Sequence, residues 1–551
     1  MRGVAGHAAR AALGARLTMR IVVIGSGFGG LAAAIRLQAS GHAVTIVEAL
    51  TGPGGRARVF RHDGFTFDAG PTIITAPQMI DELFAVAGRR TGDYVSLTRI
   101  DPFYRIRFDD GSSLDYGSDL EAVRAQIRAL APADEDGLRT FVEQAERVFE
   151  TGFPLIDKPF LRPADMMRIV PQLLRLRAHE PVSRFVERHF TDERLRQAFG
   201  FHPLLIGGNP FTASALYTLI NTLERRWGVW YAMGGTGALV AGLVRLFEEL
   251  GGTIRYRAPV SLIDVDPRTR RARGVVLANG EFLAADAVVS NADVATTYMR
   301  LVPVSARRVQ TDARVRRRRY GMSLVVIYFG TDRRYEHMAH HEIIMGPRYR
   351  ELLHDIFTEQ RLASDFSIYL HRPTATDSSM APPGCDAWYA LSPVPHLGGD
   401  TDWARQSRVY RDAILANLER RFLPKLRRHI VTMRHVDPRY FADTLGSHLG
   451  SAFSAEPLLT QSAWFRPHNR SEDIENLYLA GAGTHPGAGI PGVLSSGKIV
   501  AELIGPAGDA PVGNVEPGRA AYRHPHRGNR TASAATAPER PVGDFEPPFH
   551  A

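Results

Sequence analysis

The hydrophobic pattern of the chain opens with a short apolar run, Arg20 to Gly25 (RIVVIG), which predicts a buried β-strand. A glycine turn follows, and apolar residues then recur at helical spacing as far as Gly41, a residue typical of helix ends. A second strand is predicted from Val44 to Glu48 (VTIVE). These elements form one compact strand–helix–strand unit.

From about Asp81 the pattern changes to longer helical stretches, and Leu120 to Leu250 is predicted to be mostly helix. Short strand-like runs return later, and the Asn279-Gly280 dipeptide inside one of them is a strong hairpin signal. The predicted later elements are strands at Ile254 to Val265, Gly274 to Leu283, Ala287 to Ser290, Leu324 to Phe329, Phe366 to Leu370, Trp388 to Leu391 and Asn476 to Ala480, and a last helix at Val493 to Ile504.

The composition is typical of a globular protein. Of its residues, 44% are apolar and 23% are charged. A length of 551 residues is enough for two or more domains with their own cores. The two longest stretches without charge are broken by glycine and proline, so no membrane-spanning helix is predicted. Residues 1–18 are predicted to be a flexible extension without a secretory signal, and residues 506–551 a disordered tail.

The net charge of +9 comes from arginines spread along the chain rather than from one basic patch. No basic run is interleaved with exposed aromatic residues, so nucleic acid is not expected as a partner. A single cysteine, Cys385, excludes an internal disulfide and is typical of a reducing compartment such as the cytoplasm. It lies outside any nucleophile or metal-ligand pattern, and no metal is expected.

The glycine-rich segment after the first strand carries the clearest chemistry. In GSGFGG, Gly25, Gly27 and Gly30 occupy the three glycine positions of a dinucleotide fingerprint. The pyrophosphate would lie at the helix N-terminus, where free amides favour negative charge. Glu48 can accept hydrogen bonds from ribose hydroxyls, and Arg56 would bring a guanidinium beside the phosphates. The segment is therefore predicted to bind a dinucleotide.

A second glycine-dense segment near the C-terminus distinguishes between two cofactors. Asn476 to Gly483 (NLYLAGAG) supplies another glycine turn, as the ribityl chain of a flavin would need, whereas a nicotinamide enzyme has no use for it. FAD is favoured, and NAD is the weaker alternative. Gly234 to Gly237 lacks the fingerprint spacing, so a second dinucleotide site that could hold NAD is not predicted. A membrane quinone or oxygen is therefore expected to reoxidise the flavin.

Three long segments resemble the bacterial-type phytoene desaturases, a branch of the carotenoid and amine-oxidase-like FAD oxidoreductases. They are Gly54 to Thr75 (GGRARVFRHDGFTFDAGPTIIT), Phe201 to Val240, and Gln461 to Lys498, which contains the specific block HPGAGIPG. The resemblance runs from about Met19 to Ile504. It implies an α/β fold, in which a Rossmann-type FAD-binding domain is assembled from three discontinuous segments and carries an inserted mixed α+β substrate domain.

The resemblance also implies domain boundaries and site residues. The FAD-binding domain is expected over 19–90, 250–300 and 462–505, and the substrate and membrane-association domain over 91–249 and 301–461. The residues expected to bind FAD without a covalent bond are Gly25, Gly27, Phe28, Gly29, Gly30, Glu48, Gly55, Arg56, Arg58, Val260, Gly481, Gly483, Gly489, Ile490 and Val493.

An Asp–x–x–Arg pair, Asp165 and Arg168, stands where the family has a similar pair and is the predicted catalytic acid–base group. Its alternative interpretation is an ordinary surface ion pair on one helix face. His485 lies in the predicted flavin loop and is interpreted as a positioning residue. His202 is interpreted as a satisfied histidine near the substrate path.

The implied activity is the stepwise desaturation of the C40 hydrocarbon phytoene to lycopene, or to neurosporene or a further desaturated product. A hydride leaves an allylic carbon for the flavin and a proton leaves the neighbouring carbon. The alternatives are a sister carotenoid enzyme, such as a desaturase of hydroxyneurosporene or C30 substrates or a ketolase, and a non-redox carotene cis–trans isomerase. The oligomeric state is left open.

The segment Phe153 to Leu176 mixes large apolar residues with arginines. Such a helix could lie in a bilayer interface with its arginines on lipid head groups, or be an ordinary core helix. Because a C40 hydrocarbon resides in the membrane, the protein is expected to be cytoplasmic and attached peripherally to the cytoplasmic membrane.

Overall fold

The structure, a computed structural model, describes residues 18–508. The predicted flexible extension at 1–18 and tail at 506–551 lie outside the described residues, apart from their innermost positions. The strands are β1 Arg20–Ile24, β2 Ala43–Val47, β3 Val59–His62, β4 Phe65–Asp68, β5 Leu97–Ile100, β6 Tyr104–Arg107, β7 Ser113–Tyr116, β8 Val229–Ala232, β9 Thr253–Arg255, β10 Val260–Val265, β11 Ala272–Leu277, β12 Phe282–Ala284, β13 Ala287–Ser290, β14 Ser323–Thr331, β15 His341–Ile344, β16 Ile368–His371, β17 Asp386–Val394, β18 Ile430–Val436 and β19 Leu477–Leu479.

The α-helices are Phe28–Ala39, Pro77–Ala85, Leu120–Leu130, Glu135–Gly152, Pro163–Arg175, Val182–Glu187, Glu193–Gly200, Leu219–Trp227, Thr236–Glu249, Val294–Thr296, Asp312–Arg316, Tyr349–His354, Trp403–Arg421, Leu426–His429, Pro438–Asp443 and Ile490–Ile504.

A five-stranded parallel sheet holds both ends of the described chain together. Its strand order is β19-β13-β1-β2-β9, so it combines three widely separated parts of the sequence. Val23 in β1 lies opposite Ile46 in β2 and Val289 in β13, and all three are buried. Parallel strands covered on both faces read as near-continuous apolar runs, which is what RIVVI and AVVS are. The predicted discontinuous Rossmann-type sheet is confirmed.

Two helices from opposite ends of the sequence, Phe28–Ala39 and Ile490–Ile504, pack directly on each other beside this sheet. A Cβ atom on Gly497 would lie 2.7 Å from the amide nitrogen of Ala33, so only glycine permits this approach. The contact brings the N-terminal ends of both helices to the carboxyl ends of the sheet strands, where open α/β sheets bind ligands.

A second, seven-stranded mixed sheet has the order β18-β14-β17-β16-β15-β6-β7. Its long central strands β14 and β17 are buried almost throughout and pair over nine residues. An aromatic core between this sheet and the helices of residues 120–227 includes Phe103, Tyr104, Phe141 and Phe199. A third, small sheet contains the hairpin predicted at Asn279-Gly280, between β11 and β12.

The structure corrects two predicted elements. The region after Asp81, predicted as helical, contains β5, β6 and β7, whose four-residue length and charged residues hide their alternating pattern. The segment Phe153 to Leu176 is not one helix, since its α-helix begins only at Pro163. Proline lacks the amide that a helix interior needs and is favoured at a helix start, as Pro163 is here.

Candidate active site

One cavity of about 950 Å³ lies between the carboxyl ends of β1 and β2 and the helices that pack on the seven-stranded sheet. Part of its wall is glycine-rich and polar, and includes Gly25, Gly29 and Glu48. The remaining wall is mainly apolar and comes from residues distant in sequence, such as Phe201 and Tyr389. The two kinds of surface share a single volume, and a molecule bound on one can therefore contact a molecule bound on the other.

The turn between β1 and the first helix requires glycine for two different reasons. Gly25 has a φ of +92°, a conformation that L side chains rarely adopt. A Cβ atom on Gly29 would lie 2.6 Å from Oδ1 of Asn291 and 2.8 Å from the amide nitrogen of Gly481. The turn is therefore packed between β13 and the C-terminal segment, with its backbone exposed to the cavity.

The N-terminus of helix Phe28–Ala39 is left free to bind an anion. Its N-cap residue Gly27 has no side chain to satisfy the first amides, and the first turn carries no acidic residue. Gly27, Phe28 and Gly29 line the cavity. Free amides and the helix dipole favour negative charge at this place, as the phosphates of a dinucleotide would supply.

Glu48 is held rigidly at the end of β2. Its Oε2 accepts hydrogen bonds from the Ser26 amide at 2.8 Å and the Ser26 hydroxyl at 2.6 Å, and its Oε1 accepts one from the Leu50 amide at 2.9 Å. The residue is 5% exposed and lines the cavity. A fixed carboxylate here can accept further hydrogen bonds from ribose hydroxyls.

Arg56 tests whether the cavity fits an anionic cofactor. Its Nη2 donates to the Ser447 hydroxyl at 2.8 Å, but its buried Nε has no hydrogen-bond partner. Burial lowers the pKa of Arg56, and the charge of Asp293 acts in the opposite direction. A buried guanidinium with an unpaired N–H group is costly unless an anion joins it, and a phosphate forms such charge-assisted bonds. The residues therefore fit FAD.

The glycine turn at Gly25 to Gly29, together with Glu48 and Arg56, forms one side of a cofactor cradle. The C-terminal glycine segment forms its other side. The Gly481 amide donates to the Ser496 hydroxyl at 2.7 Å, which ties the loop to helix Ile490–Ile504. His485 in the same loop is buried, and burial lowers its pKa to about 4. The neutral imidazole lies 3.3 Å from the Leu155 carbonyl oxygen, and the positioning role of His485 stays a prediction.

Most of the predicted FAD-binding residues come together on this cavity. Those that line it are Gly25, Gly27, Phe28, Gly29, Glu48, Gly55, Arg56, Val260, Gly481, Gly489, Ile490 and Val493. Gly30, Arg58 and Gly483 do not line it. A Cβ atom on Gly30 would lie 2.1 Å from the Gly25 carbonyl oxygen, so Gly30 instead allows the helix to pack on the strand. The Arg58 guanidinium lies 5.6 Å from the ring centre of Phe60.

Asp165 and Arg168 lie on helix Pro163–Arg175 and form an ion pair at 3.6 Å. Oδ2 of Asp165 also accepts a hydrogen bond from the Arg162 amide at 2.9 Å, which caps the start of the helix. The Arg168 side chain is 79% exposed. The cavity wall contains Met166 and Ile169 from this helix rather than either member of the pair.

Several cavity residues were not predicted. Asn291 and Asp293 follow β13 directly, and the position after a parallel strand was the available signal for them. Asn291 lies against Gly29 and Gly481, and so connects the three sequence segments at the cradle. Glu224 belongs to the apolar part of the wall, and no sequence motif marked it.

The comparisons with known proteins bear on the whole described chain. A model of the family "flavin containing amine oxidoreductase" matches residues 28–505. The chain belongs to this family of flavin oxidoreductases. The family predicted from the sequence segments is thereby confirmed, together with a flavin cofactor and an oxidoreductase activity.

Within the amine oxidoreductase family, the chain is 53% identical to a lycopene-forming phytoene desaturase of Pseudescherichia vulneris, over 88% of this chain and 99% of that one. It is 43% identical to a neurosporene-forming phytoene desaturase of Cereibacter sphaeroides, over 89% and 95% of the two chains. A solved oxidoreductase from Methanosarcina mazei has a TM-score of 0.59 at 18% identity, over 88% of this chain and 100% of that one. That likeness supports the fold.

Three buried histidines, His340, His341 and His371, lie together at adjoining ends of β15 and β16. Their ligand nitrogens lie within 4.8 Å of one another, and imidazole is a common metal ligand. Burial lowers the pKa of all three, to about 3 for His371. The neighbouring His341 and His371, and then Arg372, lower the pKa of His340 further. The three imidazoles are therefore neutral.

Proposed function

We propose that this protein is an FAD-dependent phytoene desaturase that forms lycopene or neurosporene in carotenoid biosynthesis. The observation that carries the proposal is the single cavity of about 950 Å³, in which the glycine cradle continues into a hydrocarbon-lined space. The relatives at 53% and 43% identity are phytoene desaturases, which supports the same substrate for this protein.

The apolar wall suits a substrate that has no polar group to bind. Its side chains come from both large parts of the molecule and include Phe160, Leu204, Leu216, Ile220, Met345 and Leu391. Such a surface binds a polyene by excluding water, and holds a chosen carbon in place by shape alone. Bound FAD, held without a covalent bond, supplies a hydride acceptor, and a quinone or oxygen removes the electrons afterwards.

Helix Pro163–Arg175 supports a membrane source for the substrate. One of its faces, with Met166, Ile169 and Leu173, lines the cavity. A neighbouring face presents Met167 at 72% exposure and Leu174 at 59% exposure to the outside. Within residues 18–508 no helix is long and apolar enough to cross a membrane. We propose that this helix lies in the interface of one leaflet of the cytoplasmic membrane and admits the hydrocarbon from it.

The predicted acid–base role of Asp165 and Arg168 remains a proposal, and the helix cap supplies a clean test of it. Asp165 is the third residue of the helix, and its side chain accepts a hydrogen bond from the amide of the N-cap residue Arg162. An asparagine side chain keeps a carbonyl oxygen for this bond, so Asp165→Asn should leave the helix intact and remove only the charge. If the role is right, this variant should desaturate more slowly while it retains its flavin, whereas undiminished turnover would leave Asp165 as a helix cap.

The proposed function is tested with the purified full chain, FAD, 15-cis-phytoene in liposomes and a soluble quinone. We expect quinone-dependent formation of conjugated products, identified by absorbance and by the loss of two hydrogen atoms per step in their mass. Gly29→Leu, which places a side chain in the cradle, should give neither bound flavin nor product. A flavin-loaded wild type that leaves phytoene unchanged in mass would refute the desaturase and favour an isomerase.

A further inference from the structure

A buried carboxylate lies in the apolar part of the cavity wall. Glu224 belongs to helix Leu219–Trp227 and is 0% exposed, and it lines the cavity together with Ile220 and Leu223 of the same helix. An isolated buried carboxylate is costly to maintain, and such groups are found where they are paired or where they act.

Two groups from distant parts of the chain hold this carboxylate. The Tyr104 hydroxyl donates to Oε1 at 2.5 Å, and Nε2 of His202 lies 3.1 Å from Oε2. Burial and the charge of Glu224 raise the pKa of Tyr104 well above its usual value, so its hydroxyl stays a donor. Nδ1 of His202 has no hydrogen-bond partner. Among the described residues, no arginine or lysine forms an ion pair with Glu224, and the His202 ring, which is charged only if protonated, is the basic group within ion-pair distance of it.

The helix that carries Glu224 packs against two hydrophobic cores, since Leu219 at its start contacts both. Leu223, the preceding residue, belongs to the same hydrophobic core as Phe28 and Ile490, which line the flavin cradle. Tyr104 belongs instead to the aromatic core under the seven-stranded sheet. Glu224 therefore lies between two hydrophobic cores and on the wall of the cavity that the cradle shares.

The other acidic groups on the cavity wall have different tasks. Glu48 lies in the glycine-rich part of the wall, where its oxygens accept hydrogen bonds from Ser26 and Leu50 and where a nucleotide is expected. Oδ1 of Asp293 caps the helix that begins at Val294, and its buried Oδ2 has no hydrogen-bond partner. The charge of Asp293 acts on Arg56, on the anion-binding side of the cavity. Asp443 also lines the cavity, but it is exposed. Glu224, by contrast, faces the volume proposed for the hydrocarbon.

We propose that Glu224 is the catalytic base of the desaturation, and that Tyr104 and His202 are positioning residues that orient its carboxylate. The Asp165–Arg168 pair, which does not line the cavity, is the competing assignment, and undiminished turnover of Asp165→Asn would favour Glu224. The inference rests on the proposed function. One carbon–hydrogen bond of the polyene breaks, and its electron pair leaves with the hydrogen as a hydride to the oxidised cofactor. The bond between the neighbouring carbon and its hydrogen then breaks, a Glu224 oxygen takes the proton, and the remaining pair forms the new double bond.

The same carboxylate would stabilise the positive charge that develops on the polyene between the two steps. A fixed negative charge in a dry cavity acts more strongly on a cation than it would in water. Glu224 should therefore favour binding of a cationic hydrocarbon over a neutral one, and this preference can be measured without turnover.

The kinetic test compares the flavin-loaded wild type with Glu224→Gln and a matched control, Glu456→Gln. Glu456 is also buried and hydrogen-bonded, to Thr212, but it does not line the cavity. Glu224→Gln should retain its flavin and lose about 10²-fold or more in turnover, the usual contribution of a general base. With phytoene deuterated at the carbon that loses the proton, the isotope effect on turnover of Glu224→Gln should rise above that of the wild type. Glu456→Gln should match the wild type in both turnover and isotope effect.

The binding test uses a long isoprenoid amine, protonated at neutral pH, and its neutral hydrocarbon counterpart, titrated into each protein in detergent. The wild type should prefer the amine by at least about tenfold, and Glu224→Gln should lose that preference while it still binds the neutral chain. If Glu224→Gln does not fold, Tyr104→Phe, which removes one donor to the carboxylate, should show a higher isotope effect and an altered preference for the amine.

An unchanged preference and an unchanged isotope effect in Glu224→Gln would overturn the inference. If the wild type binds flavin but leaves phytoene unchanged, the proposed function fails separately, and the amine titration still decides whether Glu224 acts on a cation in the cavity.

Discussion

At the scale of single residues, Glu48 is the clearest determinant of cofactor retention. Glu48→Ala removes the acceptor for the Ser26 and Leu50 amides, so the turn loses its support, and it also removes the predicted acceptor for the ribose. We expect most of the flavin to dissociate, since unsatisfied buried donors cost about 1–3 kcal/mol each. Flavin absorbance after dialysis measures this. Glu121→Ala, at an exposed glutamate, is the control, and a fully yellow Glu48→Ala protein would contradict the ribose assignment.

Asp68 predicts a pH dependence of stability. It is buried, its Oδ2 has no partner, and burial raises its pKa to about 6. The unfolded state loses its proton near pH 4, so between about pH 4 and 6 the folded state holds more protons and becomes less stable as the pH rises. Asp68→Asn should therefore be more stable than the wild type at pH 7, by on the order of 2–3 kcal/mol.

The measurement for Asp68→Asn is thermal unfolding with saturating FAD at several pH values. The difference in Tm from the wild type should shrink as the pH falls from 7 towards 4, where both proteins are neutral at this position. Asp63→Asn, at a largely exposed aspartate, should show no such trend. If Asp68→Asn were instead less stable than the wild type at pH 7, Asp68 would be ionised and stabilised in the folded protein.

A residue could be predicted as part of the site only where residues close to it in the sequence determine its role. Gly25, Gly27 and Glu48 could be predicted because a strand, a turn and a helix within 30 residues fix their roles. Glu224 could not, since its partners His202 and Tyr104 are 22 and 120 residues away. A glutamate followed by Arg225 and Arg226 looks like a solvated helix face, and only packing shows that it is buried.

At the scale of elements, helix Pro163–Arg175 carries the membrane proposal. Its outward apolar face is next to exposed Arg168 and Arg175, as in a helix that lies in a bilayer interface. Replacing both Met167 and Leu174 by Asp should weaken binding to anionic vesicles by at least about tenfold, because each side chain stabilises binding by about 1.5–3 kcal/mol when buried. Vesicle co-sedimentation measures this change.

The matched control for that helix is Val409→Asp, at a 64% exposed residue of helix Trp403–Arg421. It should bind vesicles like the wild type. The double variant should recover turnover when phytoene is supplied in detergent, because the face that it alters does not line the cavity. Equal vesicle binding by all three proteins would remove this helix from the membrane proposal.

Elements were predictable where periodicity extends over enough residues to be read. The β1–helix–β2 unit, the β11–β12 hairpin and helix Ile490–Ile504 all follow from local patterns. Strands such as β6 (YRIR) and β7 (SLDY) are four residues long and gain stability from neighbours elsewhere in the sheet, so their own sequences resemble helix or loop.

At the scale of the whole molecule, the flavin site exists only because distant segments meet. Helix Phe28–Ala39 and helix Ile490–Ile504 each contribute an N-terminus to the cradle, and Gly497 allows them to touch. No local pattern marks this contact, although the two glycine-rich segments predicted that both ends of the chain share one cofactor. The exact approach depends on the fold, since a Cβ atom on Gly497 would also lie 2.8 Å from Cβ of Ala32.

Gly497→Leu should therefore separate two helices whose spacing sets the geometry of the cradle. Overpacking of this kind costs about 1–3 kcal/mol, and here it also displaces the loops at Gly29 and Gly481, so we expect a lower Tm and loss of flavin. Gly92→Leu is the matched control, because a side chain there meets nothing within 4 Å. If Gly497→Leu kept its flavin and melted with the wild type, the two ends of the chain could not be packed as closely as the structure has them.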